Sequence, residues 1–201
     1  MWTYAKSKYL QWTELKSKTK EKNVALYHVM DLAEAIVVAL VLALLIKHFI
    51  LQTSVVPTGS MIPTLKIKDR LLVNKFIYRF REPKRAELVV FRSPKGDKKD
   101  YVKRCIGLPG ETIEIRKGMV YINGELAVIP GATIQRDYSY FGPITLPENA
   151  YFMLGDNRSN SYDSRFWEQD ASIGRSYVPE KDLLGKAFFT FWPLSRMRIL
   201  R

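Results

Sequence analysis

One long hydrophobic run dominates the first quarter of the chain. Residues 32–51 read LAEAIVVALVLALLIKHFIL, and the segment from Ala35 to Ile46 carries no charge. A transmembrane helix needs ~20 predominantly apolar residues, which this run supplies. Glu34 and Lys47 lie near its two ends, where a long side chain reaches the membrane interface. The pattern predicts a transmembrane anchor over residues 32–51.

A buried core helix or a cleavable secretory signal would show a similar run. The apolar run of a cleavable signal usually starts nearer the N-terminus and ends at small residues before the cut. Here residues 1–31 precede the run, and no Ala-x-Ala sequence closes it. These features favour an uncleaved anchor.

The charges that flank the run predict its orientation. Six lysines lie in the tail, residues 1–31, whereas residues 52–64 contain neither Lys nor Arg. Positively charged flanks stay on the cytoplasmic side of a membrane. We therefore expect a cytoplasmic basic tail over residues 1–31 and an extracytoplasmic domain over residues 52–201.

The period of the hydrophobic pattern changes after Leu65. Short runs rich in β-branched and aromatic residues alternate with clusters of Pro, Gly and Asp, which is typical of β-strands. These runs are residues 70–78, 87–93, 101–108, 112–122, 150–156 and 186–192. Asn123-Gly124 indicates a two-residue hairpin turn. The pattern predicts a mainly β fold, an antiparallel sandwich or partial barrel, behind a single N-terminal transmembrane helix.

The net charge of +12 over 201 residues predicts an anionic partner, either nucleic acid or a lipid surface. The basic residues are spread along the chain, and no zinc finger, RNA-binding aromatic motif or recognition helix is evident in it. We therefore expect membrane lipids, and no nucleic acid, as partners. One cysteine excludes an internal disulfide, and two histidines without a cysteine cluster predict no metal site. We expect no cofactor.

A candidate nucleophile follows the hydrophobic run directly. In TSVVPTGSMIPTL, Ser60 lies between Pro57 and Pro63. A serine hydroxyl is a weak nucleophile unless a base activates it. His28 precedes the predicted span and His48 lies at its end, so neither is well placed for this role. Lysine can replace histidine in such a pair, and the stretch is either a plain linker or a nucleophile that depends on a lysine.

Lys103 is the candidate base. An unperturbed lysine has a pKa of about 10.4. To act as a base near pH 7, its pKa must fall by ~3, which corresponds to ~4 kcal/mol. Burial in apolar surroundings supplies such a shift. On a strand, Tyr101, Lys103 and Cys105 share one face. If its two neighbours face inward, so does the lysine. An exposed strand lysine is the more common case for this pattern.

A polar stretch near the C-terminal end offers further candidates. Residues 154–167 read LGDNRSNSYDSRFW and combine two Asp, two Arg and three Ser. Most of them belong to segment 157–181, which we interpret, like segment 94–100, as a surface loop. The charged side chains can equally pair with one another while the serines donate to a neutral amine. Both a surface loop and a shell that orients a lysine stay open.

Four stretches resemble, in this order, the type I signal peptidases, which are membrane-bound serine proteases with a Ser/Lys dyad. They are PTGSMIPTL, DRLLVNK, YVKRCIGLPGE and GDNRSNSYDSR. The short chain and its single predicted span are most similar to the smaller, Gram-positive form of that family. The resemblance implies a serine endopeptidase of the bacterial cytoplasmic membrane that removes N-terminal signal peptides from secretory preproteins.

The resemblance also implies roles for individual residues. Ser60 is then the nucleophile and Lys103 the general base, while the backbone N–H of Ser60 and the hydroxyl of Thr58 stabilise the oxyanion. Ser161 corresponds to the serine that hydrogen-bonds the lysine. Structural ion pairs are implied for Asp156, Asp163 and Arg165.

The chain departs from the family pattern at two places. Where the family has Gly-Asp, this sequence reads Lys68-Asp69 before RLLVNK and Ala86-Glu87 further on. We expect these changes to alter local turns away from the dyad.

The implied substrates carry small residues at the first and third positions before the cut. We therefore expect shallow apolar pockets that hold the peptide as an added strand. Candidate lining residues are Met61, which also corresponds to a residue packed near the dyad, and Ile62, Leu65, Leu72 and Val102. The alternative function is a noncatalytic, membrane-anchored β-domain that binds secreted chains or lipid, in which the serine and the lysine would be dispensable.

Overall fold

The computed structural model describes residues 2–130 and 138–200, and the chain divides into two compact units, residues 1–48 and 49–201. The first unit is built from two helices, α1 (Trp2–Lys22) and α2 (Val24–Phe49). The second unit contains the β-sheets.

Asn23 separates the two helices of the first unit. Its side-chain oxygen accepts a hydrogen bond at 3.1 Å from the backbone N–H three residues later, which caps α2. Farther from this turn, Lys16 Nζ lies 2.6 Å from Asp31 Oδ1 and 2.7 Å from Glu34 Oε2. Trp12 Nε1 donates to the same Glu34 oxygen at 3.1 Å. Helix α1 therefore folds back along α2 and pairs with both acidic residues of that helix.

Helix α2 contains the predicted hydrophobic run. Over Val24–Leu44 it is long and apolar enough to cross a bilayer, judged by length and composition. It begins well before the predicted segment 32–51 and ends at Phe49, and Leu51 already belongs to the first strand. Hydrophobicity alone does not separate the last helical turn from an adjoining apolar strand residue.

The second unit contains an antiparallel arrangement of short strands and one short helix. Its elements are β1 (Leu51–Val55), β2 (Arg70–Asn74), β3 (Leu88–Arg92), β4 (Asp100–Gly107), β5 (Thr112–Arg116), β6 (Met119–Ile122), β7 (Glu125–Leu126), β8 (Phe141–Thr145), β9 (Ala150–Leu154), α3 (Ser164–Trp167), β10 (Val178–Pro179), β11 (Leu183–Trp192) and β12 (Arg198–Ile199). One sheet has the order β1-β2-β11-β3-β4-β9-β10, with β12 paired to β11. A second sheet has the order β7-β6-β5-β8. The predicted mainly β class is confirmed, with the main sheet forming an antiparallel half-barrel.

Strand β3 lies at the centre of the core and is buried on both faces. Leu88 and Val90 pack in one cluster with Met61, which neighbours the candidate nucleophile. Val89 and Phe91 pack in a second cluster on the opposite face. Because both faces are covered, the strand is apolar at consecutive positions instead of alternating. A third cluster, with side chains from β4, β5, β6 and β9, joins the two sheets.

Turn geometry explains where the strands differ from the prediction. The run 112–122 folds into β5 and β6 because Lys117 and Gly118, with φ of 50° and 76°, form a turn between them. Asn123-Gly124, with φ of 52° and 86°, joins β6 to β7 in the predicted hairpin. Strands β8 and β10 were not predicted, since β8 contains Gly142-Pro143 and β10 has only two residues.

Both departures from the family's Gly-Asp pairs lie at left-handed backbone positions. Lys68 has φ of 69° and Ala86 has φ of 72°, a region that favours glycine. The acidic residue that follows is retained in an ion pair in both cases. Asp69 Oδ1 lies 2.7 Å from Arg196 Nε, and Glu87 accepts from Arg81 and Lys186.

Candidate active site

Ser60 lies in a single 3-10 turn, Gly59–Met61, at the end of the segment that leaves β1. The residue is 7% exposed, and Met61 beside it is fully buried in the core. Insertion of the Met61 side chain fixes the turn against the sheet. The stretch is therefore a packed part of the second unit and not a plain linker.

Lys103 extends from β4 towards this serine. Its Nζ donates to Ser60 Oγ at 2.5 Å, and the residue is only 5% exposed. Burial lowers the pKa of Lys103 from 10.5 to about 8, although the carboxylates of Asp163 and Asp156 act in the opposite direction. A lysine in these surroundings loses its proton far more readily than a solvated one.

The loop that follows β9 lies directly against the serine. A Cβ added to Gly155 would approach within 2.5 Å of the Ser60 carbonyl oxygen and would also overlap the Ser161 hydroxyl. Such overlap excludes any side chain at this position. Glycine thus allows the loop to support the nucleophile at van der Waals distance.

The two predicted hydroxyl partners occupy different positions relative to the pair. Thr58 Oγ1 lies 3.4 Å from Ser60 Oγ, on the segment that enters the turn. Ser161 Oγ is buried and makes no hydrogen bond with the described residues. The expected bond from Ser161 to Lys103 is therefore absent among the described residues, where the one hydrogen bond of the lysine amino group goes to Ser60.

Much of the segment 157–165 is buried, with Ser159, Asn160 and Tyr162 exposed, so the predicted surface loop 157–181 is wrong for this part, whereas many of the residues that follow are exposed. Asp163 is fully buried and accepts from Arg165 Nε at 2.8 Å and from the Gly155 N–H at 3.0 Å. Arg165 also donates to the Arg158 carbonyl at 2.7 Å. These charges are removed from water and are satisfied by one another and by the backbone, so the polar composition does not indicate exposure.

A second buried ion pair links three segments of the site. Arg104 Nε donates to Asp156 Oδ1 at 2.8 Å, and Arg104 Nη2 donates to Asp156 Oδ2 at 2.5 Å. The same carboxylate accepts from the Thr64 hydroxyl at 2.5 Å, and Arg104 Nη1 donates to the Ala86 carbonyl at 2.7 Å. Asp156 thus joins β4, the loop after β9 and the segment that carries Ser60.

A groove of about 1010 Å³ ends at Ser60 and Lys103. Its walls are residues 53–58 on one side and residues 99–103 on the other, with Ser60, residues 159–162 and Phe166 at its end. Within residues 2–130 and 138–200, both walls have unpaired strand edges, because β1 is the edge of its sheet and β9 pairs with β4 only from Arg104 onwards. The groove is therefore open to an extended chain that hydrogen-bonds along either wall.

The comparisons with known proteins agree with this geometry. The family model described as signal peptidase, peptidase S26, matches residues 29–192. A probable signal peptidase I-2 of Synechocystis sp. is 39% identical over 85% of this chain and 77% of its own length. Signal peptidase I S of Bacillus subtilis is 39% identical over 85% of this chain and 92% of its own length. The chain belongs to the signal peptidase S26 family. A solved signal peptidase I from Enterococcus faecalis is 30% identical and covers 53% of this chain and 97% of its own, with a TM-score of 0.41.

In this signal peptidase only some of the residues predicted to form the substrate pocket line the groove. Val102 lines the groove, as does Val56, which the pattern did not indicate. Met61 and Leu65 are instead fully buried in the core below it. The turn at Ser60 explains this, because it directs the apolar side chains that follow away from solvent. The two other candidates, Ile62 and Leu72, are partly buried outside the lining of the groove.

Several residues that contribute to the signal peptidase site were not assigned a role from the sequence. Segment 94–100, which the sequence pattern predicts as a surface loop, also contributes, because Lys99 and Asp100 line the groove. Gln52 Nε2 donates to Asp100 Oδ2 at 3.1 Å. The role of Arg104 was within reach of the sequence. It follows Lys103 on a strand and so lies on the opposite face, and a buried arginine requires a carboxylate partner. Asn157 lies in the stretch GDNRSNSYDSR, but neither the pattern nor the resemblance assigned it a role.

Proposed function

We propose that this chain is a membrane-anchored signal peptidase I that cleaves signal peptides from secretory preproteins with Ser60 as nucleophile and Lys103 as general base. The observation that carries the proposal is the 2.5 Å contact between Lys103 Nζ and Ser60 Oγ, buried at the end of a groove. Membership of the signal peptidase family supports the substrate class.

In the first step Ser60 Oγ attacks the scissile carbonyl carbon while its proton passes to the neutral amine of Lys103. A C–O bond forms, and the carbonyl oxygen becomes an oxyanion. The Ser60 N–H and the Thr58 hydroxyl stabilise this charge. When the tetrahedral intermediate collapses, the C–N bond breaks and Lys103 returns the proton to the departing amine.

In the second step the acyl group leaves the serine by hydrolysis. Lys103, neutral again, takes a proton from water, and the resulting hydroxide attacks the ester carbonyl. The C–O bond to Ser60 breaks, and the protonated lysine restores the serine hydroxyl. Buried ion pairs at Asp156, Asp163 and Arg165 hold the loop beneath the site and transfer no proton.

The substrate binds as an extended strand between the two walls of the groove. Main-chain hydrogen bonds to the unpaired edges of β1 and β4 supply affinity that does not depend on sequence. Val56 and Val102 restrict the space next to the serine, which favours small side chains before the cut. Specificity for a small residue in an apolar pocket is limited to about 1–3 kcal/mol per methylene.

The remaining parts of the chain fit a single-pass protein of the bacterial cytoplasmic membrane. Helix α2 serves as the anchor, with the β-domain outside and the basic tail on the cytoplasmic side. In the membrane, α1 then leaves the side of α2 to which Lys16 and Trp12 hold it in the described structure. The excess of positive charge favours anionic lipids as neighbours of the domain. Substrates approach from the same bilayer, in which their own apolar segments lie.

Cleavage of a model preprotein by purified full-length protein in detergent tests this proposal. We expect Ser60→Ala and Lys103→Ala each to reduce kcat by at least ~10³, since each removes one member of a unit that acts together. Lys181→Ala, an exposed lysine outside the groove, should retain wild-type activity. Undiminished cleavage by either dyad variant would contradict the assignment of the dyad, whereas a wild-type protein that cleaves no preprotein would support the noncatalytic β-domain instead.

A further inference from the structure

One buried side chain of the site has no part in the reaction as described above. Asn157, 7% exposed, follows the Gly155-Asp156 pair in the loop after β9. Its Nδ2 donates to the Gly59 carbonyl oxygen at 3.0 Å. Its backbone N–H donates to the Ser60 carbonyl oxygen at 3.1 Å. One residue thus holds the carbonyl groups on both sides of the nucleophile.

The Gly59 carbonyl has a particular importance, because it belongs to the same peptide group as the N–H of Ser60. A peptide group is planar and trans, so its C=O and N–H point in opposite directions. Any contact that fixes the Gly59 oxygen therefore also fixes the direction of the Ser60 N–H. In the proposed reaction that N–H is a donor to the oxyanion.

Hydrogen bonds to the carbonyl also strengthen the N–H as a donor. A carbonyl that accepts a hydrogen bond polarises its own peptide group, and bonds connected in this way reinforce one another. The Gly59 oxygen accepts from Asn157 Nδ2 and from the Ile62 N–H at 3.1 Å. The second bond belongs to the local turn, whereas the first comes from a distant segment of the chain.

We propose that Asn157 is a positioning residue that orients and polarises the Gly59–Ser60 peptide group so that the Ser60 N–H points at the oxyanion. This inference rests on the proposed function, since it assigns a support to one of its donors. Asn157 does not touch the reacting atoms. Its effect appears only where negative charge develops on the substrate oxygen, so it acts on the transition state and not on ground-state binding.

The test compares full-length Asn157→Leu and Asn157→Ala with wild type in preprotein or peptide cleavage. Removal of an oxyanion donor costs ~10²–10³ in kcat, and loss of its orientation alone should cost about 10- to 50-fold, with KM changed less than about threefold. Asn149→Leu, an exposed asparagine outside the site, is the matched control and should behave as wild type.

Inhibitor binding separates positioning from general damage to the fold. A peptide aldehyde forms a tetrahedral adduct with a serine and places an oxyanion in the same site, so its affinity should fall by the same factor as kcat/KM. An uncleavable peptide with proline after the cut position binds only in the ground state and should keep its affinity. The pH midpoint of activity should stay that of wild type, because Asn157 makes no contact with Lys103 in the described structure.

Two results would overturn the inference. One is wild-type kcat in a folded Asn157→Ala, with thermal unfolding close to that of wild type. The other is an equal loss of affinity for the aldehyde and the uncleavable peptide, which indicates a collapsed groove. The failure of the proposed function is distinguishable, since either Ser60→Ala would then cleave as well as wild type or wild type itself would not cleave, whatever Asn157 does.

Discussion

At the scale of single residues, the burial of Lys103 has two consequences, one for its pKa and one for the stability of the fold. Burial of Lys103 beneath the groove lowers its pKa from 10.5 to about 8, a difference that corresponds to about 3 kcal/mol. The same burial destabilises the folded protein, fully below about pH 8 and progressively less as the pH rises to about 10.4, because the unfolded lysine stays protonated up to that pH. In the proposed reaction, this loss of stability is what makes the lysine able to act as a base.

Ala86 is a residue at which the same chain can gain stability. Its φ of 72° is left-handed, a conformation that costs a side chain ~1–2 kcal/mol and costs glycine little. Because glycine also raises the entropy of the unfolded chain, we expect Ala86→Gly to stabilise by about 0.5–1 kcal/mol. Urea unfolding of the full-length protein in detergent measures this change.

The control for this prediction is Ala171→Gly, at an exposed alanine whose φ is not left-handed. It should leave stability unchanged or lower it. Equal effects of the two substitutions would show that the backbone at Ala86 is not strained.

Sequence reasoning reached part of the candidate site at this scale. Strand alternation indicated that Lys103 shares a face with Tyr101 and Cys105, and Ser60 was singled out by its two flanking prolines. Their separation of 2.5 Å could not be predicted, since it depends on the packing of Met61 into a core built from distant strands. That the buried Ser161 Oγ makes no hydrogen bond with the described residues was equally out of reach, because it depends on how the loop packs and not on the residue type.

At the scale of elements, buried charges connect the strands to the segment that carries the nucleophile. The bidentate pair between Arg104 and Asp156 is 1–2% exposed at its side chains, and Thr64 completes it. A buried pair adds little net stability compared with apolar residues, but losing one partner leaves the other charge uncompensated. The pair therefore fixes the mutual position of β4 and the loop after β9.

We expect Asp156→Ala to destabilise the folded protein by about 3–5 kcal/mol, because it leaves the Arg104 guanidinium buried without a carboxylate. The double variant Arg104→Met with Asp156→Leu should recover most of that loss. Unfolding of the full-length protein in detergent measures both. Glu114→Ala, which removes the carboxylate of the more exposed pair with Arg116, should change stability little, and an equal effect at both sites would contradict the account.

The elements themselves were predictable where the pattern had a clear period. Strands β2, β3, β4, β9 and β11 coincide with apolar runs, and the hairpin at Asn123-Gly124 follows from its turn residues. The loop after β9 was not predictable in the same way. Its polar composition is typical of exposed loops, and the buried pairs of Asp163 with Arg165 and of Asp156 with Arg104 explain how most of it is covered.

At the scale of the whole molecule, the chain combines an apolar helix with a β-rich unit that contains every candidate catalytic group. The net charge of +12 is shared between the lysine-rich tail and the second unit. In the proposed topology, charge of this sign on both sides of the anchor suits the anionic surfaces of a membrane. The hydrophobic run was evident from sequence, whereas the return of α1 along α2 depends on pairs such as Lys16–Glu34 that no local pattern reveals.

The proposed topology predicts the outcome of protease protection in intact spheroplasts. Added protease should digest residues 52–201 and leave an N-terminal tag intact until the membrane is lysed. A β-unit that resists digestion until lysis would reverse the orientation and remove the domain from its proposed substrates.

The pH dependence of kcat/KM for a peptide without groups that titrate between pH 6 and 10 tests the central claim most directly. This ratio reports the pKa values of the free enzyme. Since only neutral Lys103 accepts the serine proton, activity should rise with pH as one proton is lost and level off above a midpoint near 8. A flat profile across this range, or a midpoint near 10.5, the ordinary pKa of lysine, would contradict a buried lysine base.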